Sequence, residues 1–263
     1  MSAADPFARI ARTLVGTRLR RVRYAAVTDS TNDDIARILG DEDARGLTVV
    51  ADYQRHGAGR KGRSWTAPSG VALLFTTALP DPVPTADLWC VPLWAALALQ
   101  AALHACGVDA TLQWPNDLLL GTKKLCGILC VSRVAGERAW AGCGVGVNVS
   151  RPAPGSAAAA ELAAVDPPPA FCSDVVTVDR ADLLASVLHA FDAMLPLLAM
   201  PQRIARRWEG AAGLPGAHYR VHVDGEPQPF DAVALRLTTG GGLEVRTSAG
   251  LREIALADAR VVR

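Results

Sequence analysis

The period of the apolar positions changes several times along this chain, and each change predicts an element. Phe7, Ile10, Ala11 and Leu14 recur at helical spacing and predict a short leading helix over residues 5–15, followed by a strand near 22–27. Ser30 or Thr31 is then placed to cap a helix, with Asp33 and Asp34 in its first turn and Ile35, Ala36 and Leu39 on one apolar face before Gly40. Residues 47–53 and 71–79 are apolar runs of strand length, divided by a glycine-rich basic segment over 55–70. A helix over 87–106 comes next, then strands near 110–114, 125–133 and 139–149.

Beyond these strands the texture loosens. Residues 151–170 are rich in Pro and Ala and predict a surface crossing with one helical turn at most. Leu183, Leu184, Val187, Leu188, Phe191, Met194 and Leu195 mark an amphipathic helix over 179–197, and residues 201–208 continue in helical form. After Gly213, Pro215 and Gly216 the pattern turns to short alternating stretches at 218–223, 230–237, 243–247 and 251–256, divided by turns such as Asp224-Gly225. That tail reads as a small, separately packed β-barrel, so the division is a first domain over 1–213 and a second over 214–263.

Composition narrows the functional classes. Half of the 263 residues are apolar, 20% are charged, and the net charge is +1, which disfavours bulk electrostatic capture of nucleic acid or of an anionic membrane. The N-terminal stretch mixes Asp5 with Arg9 and Arg12 and lacks the apolar core of a signal peptide. Residues 88–106, the best membrane candidate, are interrupted by Pro92, Gln100 and His104. The expectation is a cytoplasmic protein that neither spans a membrane nor binds DNA. The six cysteines form no CxxC pair and have no His partners at zinc spacing; Cys126 and Cys130 would lie ~13 Å apart on one face of a strand, too far for a disulfide.

Three clusters carry candidate chemistry. In the first, Gly57, Gly59 and Gly62 interleave with Arg55, His56, Arg60, Lys61 and Arg63, so permissive backbone and several cations share one loop, as an anionic ligand requires; the plainer reading is a solvated surface loop. The spacing comes close to a phosphate-binding P-loop, but Trp65, Thr66, Ala67 and Pro68 continue it as loop rather than opening a helix. In the second, Gln113-Trp114-Pro115-Asn116-Asp117 ends an apolar run, and Lys124 opens the next strand; these residues present an amide, a carboxylate and a cation, or form an ordinary turn with a snorkelling lysine. In the third, Gly142, Gly144 and Gly146 strip one face of a strand before Asn148, leaving room for a flat ligand or for close packing.

Taken in order, the clusters resemble the biotin–protein ligases. The family pattern GRGRxGRxWxSPxG is similar to residues 57–70, KWPNDL to 113–118, KLAGIL to 124–129 and GIGINVN to 142–148; Asp29-Ser30-Thr31-Asn32 resembles the DSTN before the family's first catalytic helix. The resemblance covers nearly the whole chain. It implies an α+β fold, with a mixed sheet and helices of the biotin/lipoate ligase type and an SH3-like C-terminal β-barrel. It implies biotin contacts at Ser30, Thr31, Asn32, Gln54, Gly57, Ala58, Gly59, Arg60, Lys124, Gly144 and Gly146, with Arg60 and Lys124 catalytic. It also implies ATP and Mg²⁺ contacts at Arg63, Trp65, Asn116, Asp117 and Asn148, with Asp117 as metal ligand. The activity implied is ATP-dependent adenylation of biotin and its transfer to one lysine of a biotin carboxyl carrier protein domain, by a monomer or homodimer.

Three positions depart from the pattern. Ala58 replaces a loop arginine, Gln113 replaces the lysine before WPND, and Leu235 stands where the barrel pattern has glycine. Arg55, His56 or Lys123 are the cations placed to compensate for the first two. The stretch before Val22 is shorter than a winged-helix DNA-binding domain needs, so the repressor type is not expected. Rival readings are a lipoate ligase, a binding protein that has lost catalysis, and an RNA-binding module.

Overall fold

A computed structural model describes residues 5–163, 165–256 and 259–262. The first sheet holds β1 (Arg21–Thr28), β2 (Leu47–Gln54), β3 (Ala72–Ala78), β4 (Val83–Pro84), β5 (Thr111–Gln113), β6 (Asp117–Leu120), β7 (Lys123–Ala135) and β8 (Arg138–Asn148). Its order is β1-β2-β3-β8-β7-β6-β5, with β4 paired to β8. Only β1 and β2 run parallel, so the sheet is mixed, as the resemblance implied. The helices are α1 (Thr31–Ala36), α2 (Cys90–Ala105), α3 (Ala157–Leu162), α4 (Arg180–Met194) and α5 (Pro201–Ala211). A second, antiparallel sheet of β9 (His218–Val223), β10 (Phe230–Leu237), β11 (Leu243–Thr247), β12 (Gly250–Ile254) and β13 (Ala259–Val262) follows, in the order β12-β11-β10-β9-β13.

Strand alternation sorts side chains to the two faces of the first sheet. Leu73 and Phe75 of β3 and Cys143, Val145 and Val147 of β8 pack into the main core with α2 and α4, centred on Trp94 and Phe191. The intervening residues, Leu74 and Thr76 of β3 and Gly142, Gly144 and Gly146 of β8, face the other way. There Ile35 of α1 joins Leu39, Leu47 and Val49 in a smaller cluster. One face is thus sealed by helices, and the other is left for α1 and the basic loop.

Several expectations need correction. The leading helix is a 3₁₀ segment, Ala8–Arg12. Ser30 is the N-cap residue of α1, but its side chain makes no capping bond. The crossing at 151–170 contains α3, longer than one turn, because Ser156 accepts a cap bond from the Ala159 N–H ahead of an alanine run. Residues Arg180–Ala199 are long and apolar enough to cross a membrane by length and composition, a stretch passed over in favour of 88–106; Leu183, Leu184, Val187, Leu188 and Phe191 are fully buried against the core. The second sheet does not pack separately, since Tyr219, Val221, Ala234, Leu243, Val245 and Ile254 belong to the same contiguous core as α2 and α4. Leu235 falls at a register shift of β10 against β11, between Ala234 and Arg236, where a bulge takes up the residue. Two of the thiols meet: Cys130 and Cys143 face each other across β7 and β8 with Sγ atoms 3.8 Å apart, and that contact, together with burial, pushes the Cys143 thiol well up.

Candidate active site

Most of the residues predicted from four distant stretches of sequence surround one cavity on the open face of the first sheet. Its wall includes Ser30, Thr31, Asn32, Gln54, Ala58, Gly59, Arg60, Arg63, Trp65, Asn116, Lys124, Gly144 and Gly146. Gly57 is buried just outside it; Asp117 and Asn148 also lie outside the lining, each in contact with Lys124. Ser64, Gly127, Ile128, Leu129 and Val145 line it as well; all five fall inside the stretches 57–70, 124–129 and 142–148, though none is itself a predicted contact.

The basic loop is folded back on itself. The Gly59 N–H donates to the Arg63 carbonyl at 2.6 Å, the Trp65 N–H donates to the Gly57 carbonyl at 2.7 Å, and Ala58 bridges Ser64. The turn over Arg60–Gly62 holds Lys61 at φ 59°, a left-handed conformation that a side chain tolerates only when its surroundings hold it. Those surroundings include the second sheet: Lys61 Nζ lies 2.7 Å from Asp224 Oδ2, and Arg60 Nη2 donates to the Leu256 carbonyl. The loop is a pinned hairpin, not the solvated strap that was its plainer reading. Burial lowers the Arg60 pKa from its ordinary value, with Asp117 opposing the shift and Arg63 adding to it.

The glycine strip of β8 proves to be a set of seats for the protein's own side chains. A Cβ on Gly142 would meet Ile35 at 2.9 Å, on Gly144 it would meet Asn32 Oδ1 at 2.1 Å, and on Gly146 it would meet the Trp65 ring at 2.6 Å. Gly127 of the neighbouring β7 likewise leaves room for Trp65. Of the two readings left open for the strip, close packing describes these contacts; the cavity opens beside the packed side chains. The Trp65 Nε1 is buried and has no hydrogen-bond partner among the described residues.

Lys124 stands at the centre of the polar wall. Its Nζ lies 2.7 Å from Asp117 Oδ1 and 5.4 Å from the Trp65 ring centroid, and its carbonyl accepts a bond of 3.4 Å from the Asn148 amide. Asn116 donates to the Ile128 carbonyl at 2.6 Å and accepts from Arg60 at 3.4 Å. Across from these, Gln54 Oε1 accepts from both the Thr31 N–H and the Thr31 hydroxyl. Two cations, amides and hydroxyls thus line one cavity, with the Asp117 carboxylate behind Lys124; their partial burial strengthens each electrostatic contact.

Comparison with known proteins agrees with this geometry. The biotin/lipoate A/B protein ligase family model matches residues 24–148, the segment that builds the sheet and the cavity. Over that segment the chain is similar to this family, and the fold and the site agree with the likeness. Curated proteins similar to it include biotin protein ligases. It is 39% identical over 135 residues to the biotin–[acetyl-CoA-carboxylase] ligase of Paracoccus denitrificans, covering 48% of this chain and 53% of that protein. It is 26% identical over 249 residues to the bifunctional ligase/repressor BirA of Bacillus spizizenii, covering 89% of this chain and 72% of that protein. The fold matches the Aquifex aeolicus biotin protein ligase solved with biotin and ATP at a TM-score of 0.71 and 22% identity, covering 92% of this chain and 99% of that one. The Paracoccus and Mycobacterium tuberculosis ligases are each matched over about half their length.

Proposed function

We propose that this protein activates biotin with ATP and transfers it to a lysine of a biotin carrier protein domain. The observation that carries this reading is the enclosure of Arg60 and Lys124 in one cavity with Ser30, Thr31 and Gln54, cations for an acyl phosphate beside polar groups for a neutral head group. Arg60 and Lys124 act as the catalytic cations. Ser30, Thr31, Asn32 and Gln54 take the ureido ring, while Ala58, Gly59, Gly144 and Gly146 shape the walls around it and Gly57 backs the loop from just outside. Arg63, Trp65, Asn116 and Asn148 serve the nucleotide.

In the first step a biotin carboxylate oxygen attacks the α-phosphorus of ATP, the bond to the bridging oxygen breaks, and pyrophosphate leaves. Lys124 and Arg60 are fixed where charge grows on the phosphoryl oxygens, so they stabilise it with little rearrangement. In the second step the carrier's amine attacks the acyl carbon, AMP leaves, and the amine proton passes to solvent. The folded loop shields the mixed anhydride from water until then.

Among the described residues no three His, Cys, Asp or Glu side chains cluster as a metal cage. That donor set suits Mg²⁺ arriving with the nucleotide, an ion that takes most of its ligands from phosphate and water and needs only one or two carboxylates. Asp117 would hold it, and the ion would offset charge on the polyphosphate. The described cysteines are free thiols, in keeping with a place in the reducing cytoplasm.

The test is to mix the protein with Mg-ATP, a carrier domain and either biotin or lipoate, and to weigh the carrier. A mass gain of one biotinyl group, with little or none from lipoate, is the expected result. Pyrophosphate release without carrier modification would point to a retained binding protein, and preference for lipoate would move the chain to the sister activity.

A further inference from the structure

Thr76 of β3 is fully buried and does not line the cavity, yet two of the residues that do are bound to its hydroxyl. Thr76 Oγ1 lies 2.8 Å from Thr31 Oγ1 and 2.8 Å from Asn32 Oδ1. Thr31 Oγ1 lies in turn 3.0 Å from Gln54 Oε1. Three contacts therefore each require a proton, and the two hydroxyls together own only two.

Backbone partners remove the ambiguity in the amides. The Thr31 backbone N–H can only donate, and it meets Gln54 Oε1 at 2.8 Å, so the oxygen of that amide faces Thr31. The Leu129 carbonyl can only accept, and Asn32 Nδ2 lies 3.1 Å from it, so Asn32 Oδ1 faces Thr76. The Thr76 proton must then go to Asn32 Oδ1. The Thr31 proton is shared between Thr76 and Gln54 and stays inside the protein in either arrangement. Thr31 therefore offers a ligand a lone pair and no proton, and the donors that Gln54 offers are its amide N–H groups.

We infer that Thr76 is a positioning residue of the acid-binding site, whose hydroxyl holds Asn32 and Thr31 so that Thr31 accepts and Gln54 donates toward the bound acid. An acceptor beside a donor is complementary to a cyclic urea, which offers N–H next to C=O. The inference rests on the biotin reading above. No side chain on β8 can replace Thr76 in this role, because the residue paired with it is Gly144, on which Asn32 is seated.

The test is titration of the full-length protein with biotin alone, by calorimetry, for Thr76→Val and Thr76→Ser. Thr76→Val removes the hydroxyl that donates to the buried Asn32 Oδ1, so it should weaken biotin binding about tenfold, leave the KM for ATP within about twofold, and be rescued by Thr76→Ser. Thr77→Val is the control: Thr77 pairs with Thr48 at 2.9 Å, and alternation turns it to the opposite face of the same strand. It should lower the melting temperature without changing biotin affinity. Equal biotin affinity in Thr76→Val and the parent, or equal losses in Thr76→Val and Thr77→Val, would overturn the role. Should Thr76→Val fail to fold, Thr76→Cys, of similar size and a poor donor, must lose affinity where Thr76→Ser keeps it. A parent protein that binds no biotin at all would remove the functional reading, and this inference with it.

Discussion

Lys61, at the tip of the basic loop, is joined to Asp224, in the first turn of the second sheet, by an ion pair of 2.7 Å. The loop that folds over the cavity and the C-terminal sheet are therefore one mechanical unit, helped by the bond from Arg60 to the Leu256 carbonyl. Asp224 is largely exposed, so the pair adds little to global stability and its effect falls on the loop.

It follows that Asp224→Asn should leave the melting temperature nearly unchanged while amide hydrogen exchange over residues 57–65 rises several-fold. Unchanged exchange there would show that the contact does not restrain the loop.

A methyl group at Gly144 cannot coexist with Asn32 as placed, since the two would be 2.1 Å apart. Gly144→Ala should cost about 1–3 kcal/mol in urea unfolding and weaken biotin binding at least tenfold, because Asn32 must leave its seat. Gly121→Ala provides the contrast: with φ 59° but open space around it, it should lower stability through backbone strain and spare biotin affinity.

Lys124→Met would leave Asp117, whose side chain is only 12% exposed, without its cation. Biotin-dependent pyrophosphate exchange should fall by about 10²–10³ in kcat, the usual scale for removing one fixed stabiliser of a transition state. Lys124→Arg should recover little, because a planar guanidinium cannot set one compact charge both 2.7 Å from Asp117 Oδ1 and over the Trp65 ring as the ammonium does. Full activity in either variant would contradict the assigned role.

Acid should unfold the protein partly through Asp174. The Arg151 guanidinium, bonded to both of its oxygens, holds that carboxyl below the usual carboxylate range, with the Phe171 N–H helping. A lowered folded pKa gives stability that is complete above the unfolded value of about 4 and is lost as pH falls through the folded one. Arg151→Met should thus reduce stability at pH 7 and narrow the gap between urea midpoints at pH 7 and pH 3. An unchanged gap would mean that other carboxylates, such as Asp81 beside Arg18, carry the acid sensitivity.

Gln113 lies directly across from Asp117 in the β5–β6 ladder. Gln113→Lys would place a cation beside the carboxylate that already pairs with Lys124, and a several-fold lower KM for ATP in pyrophosphate exchange is expected. No change would show that the departure at 113 is without consequence for the nucleotide.

What the residues alone determined was local. Apolar runs of strand length placed most strands of the first sheet, helical spacing placed α2 and α4, and the loop, the WPND segment and the glycine strip marked the cavity, because each carries its chemistry within a short stretch. What only the tertiary structure decided were pairings between distant stretches: Trp65 and Asn32 seated on the glycines of β8, Lys61 held by Asp224, Cys130 facing Cys143, and Thr76 bound behind Thr31. A buried threonine in a run such as Ala72–Ala78 looks like any strand residue, and a surface aspartate after β9 looks like any turn. Such roles depend on register and on which face of a sheet a side chain leaves, and those follow from packing the whole chain, not from any one segment of it.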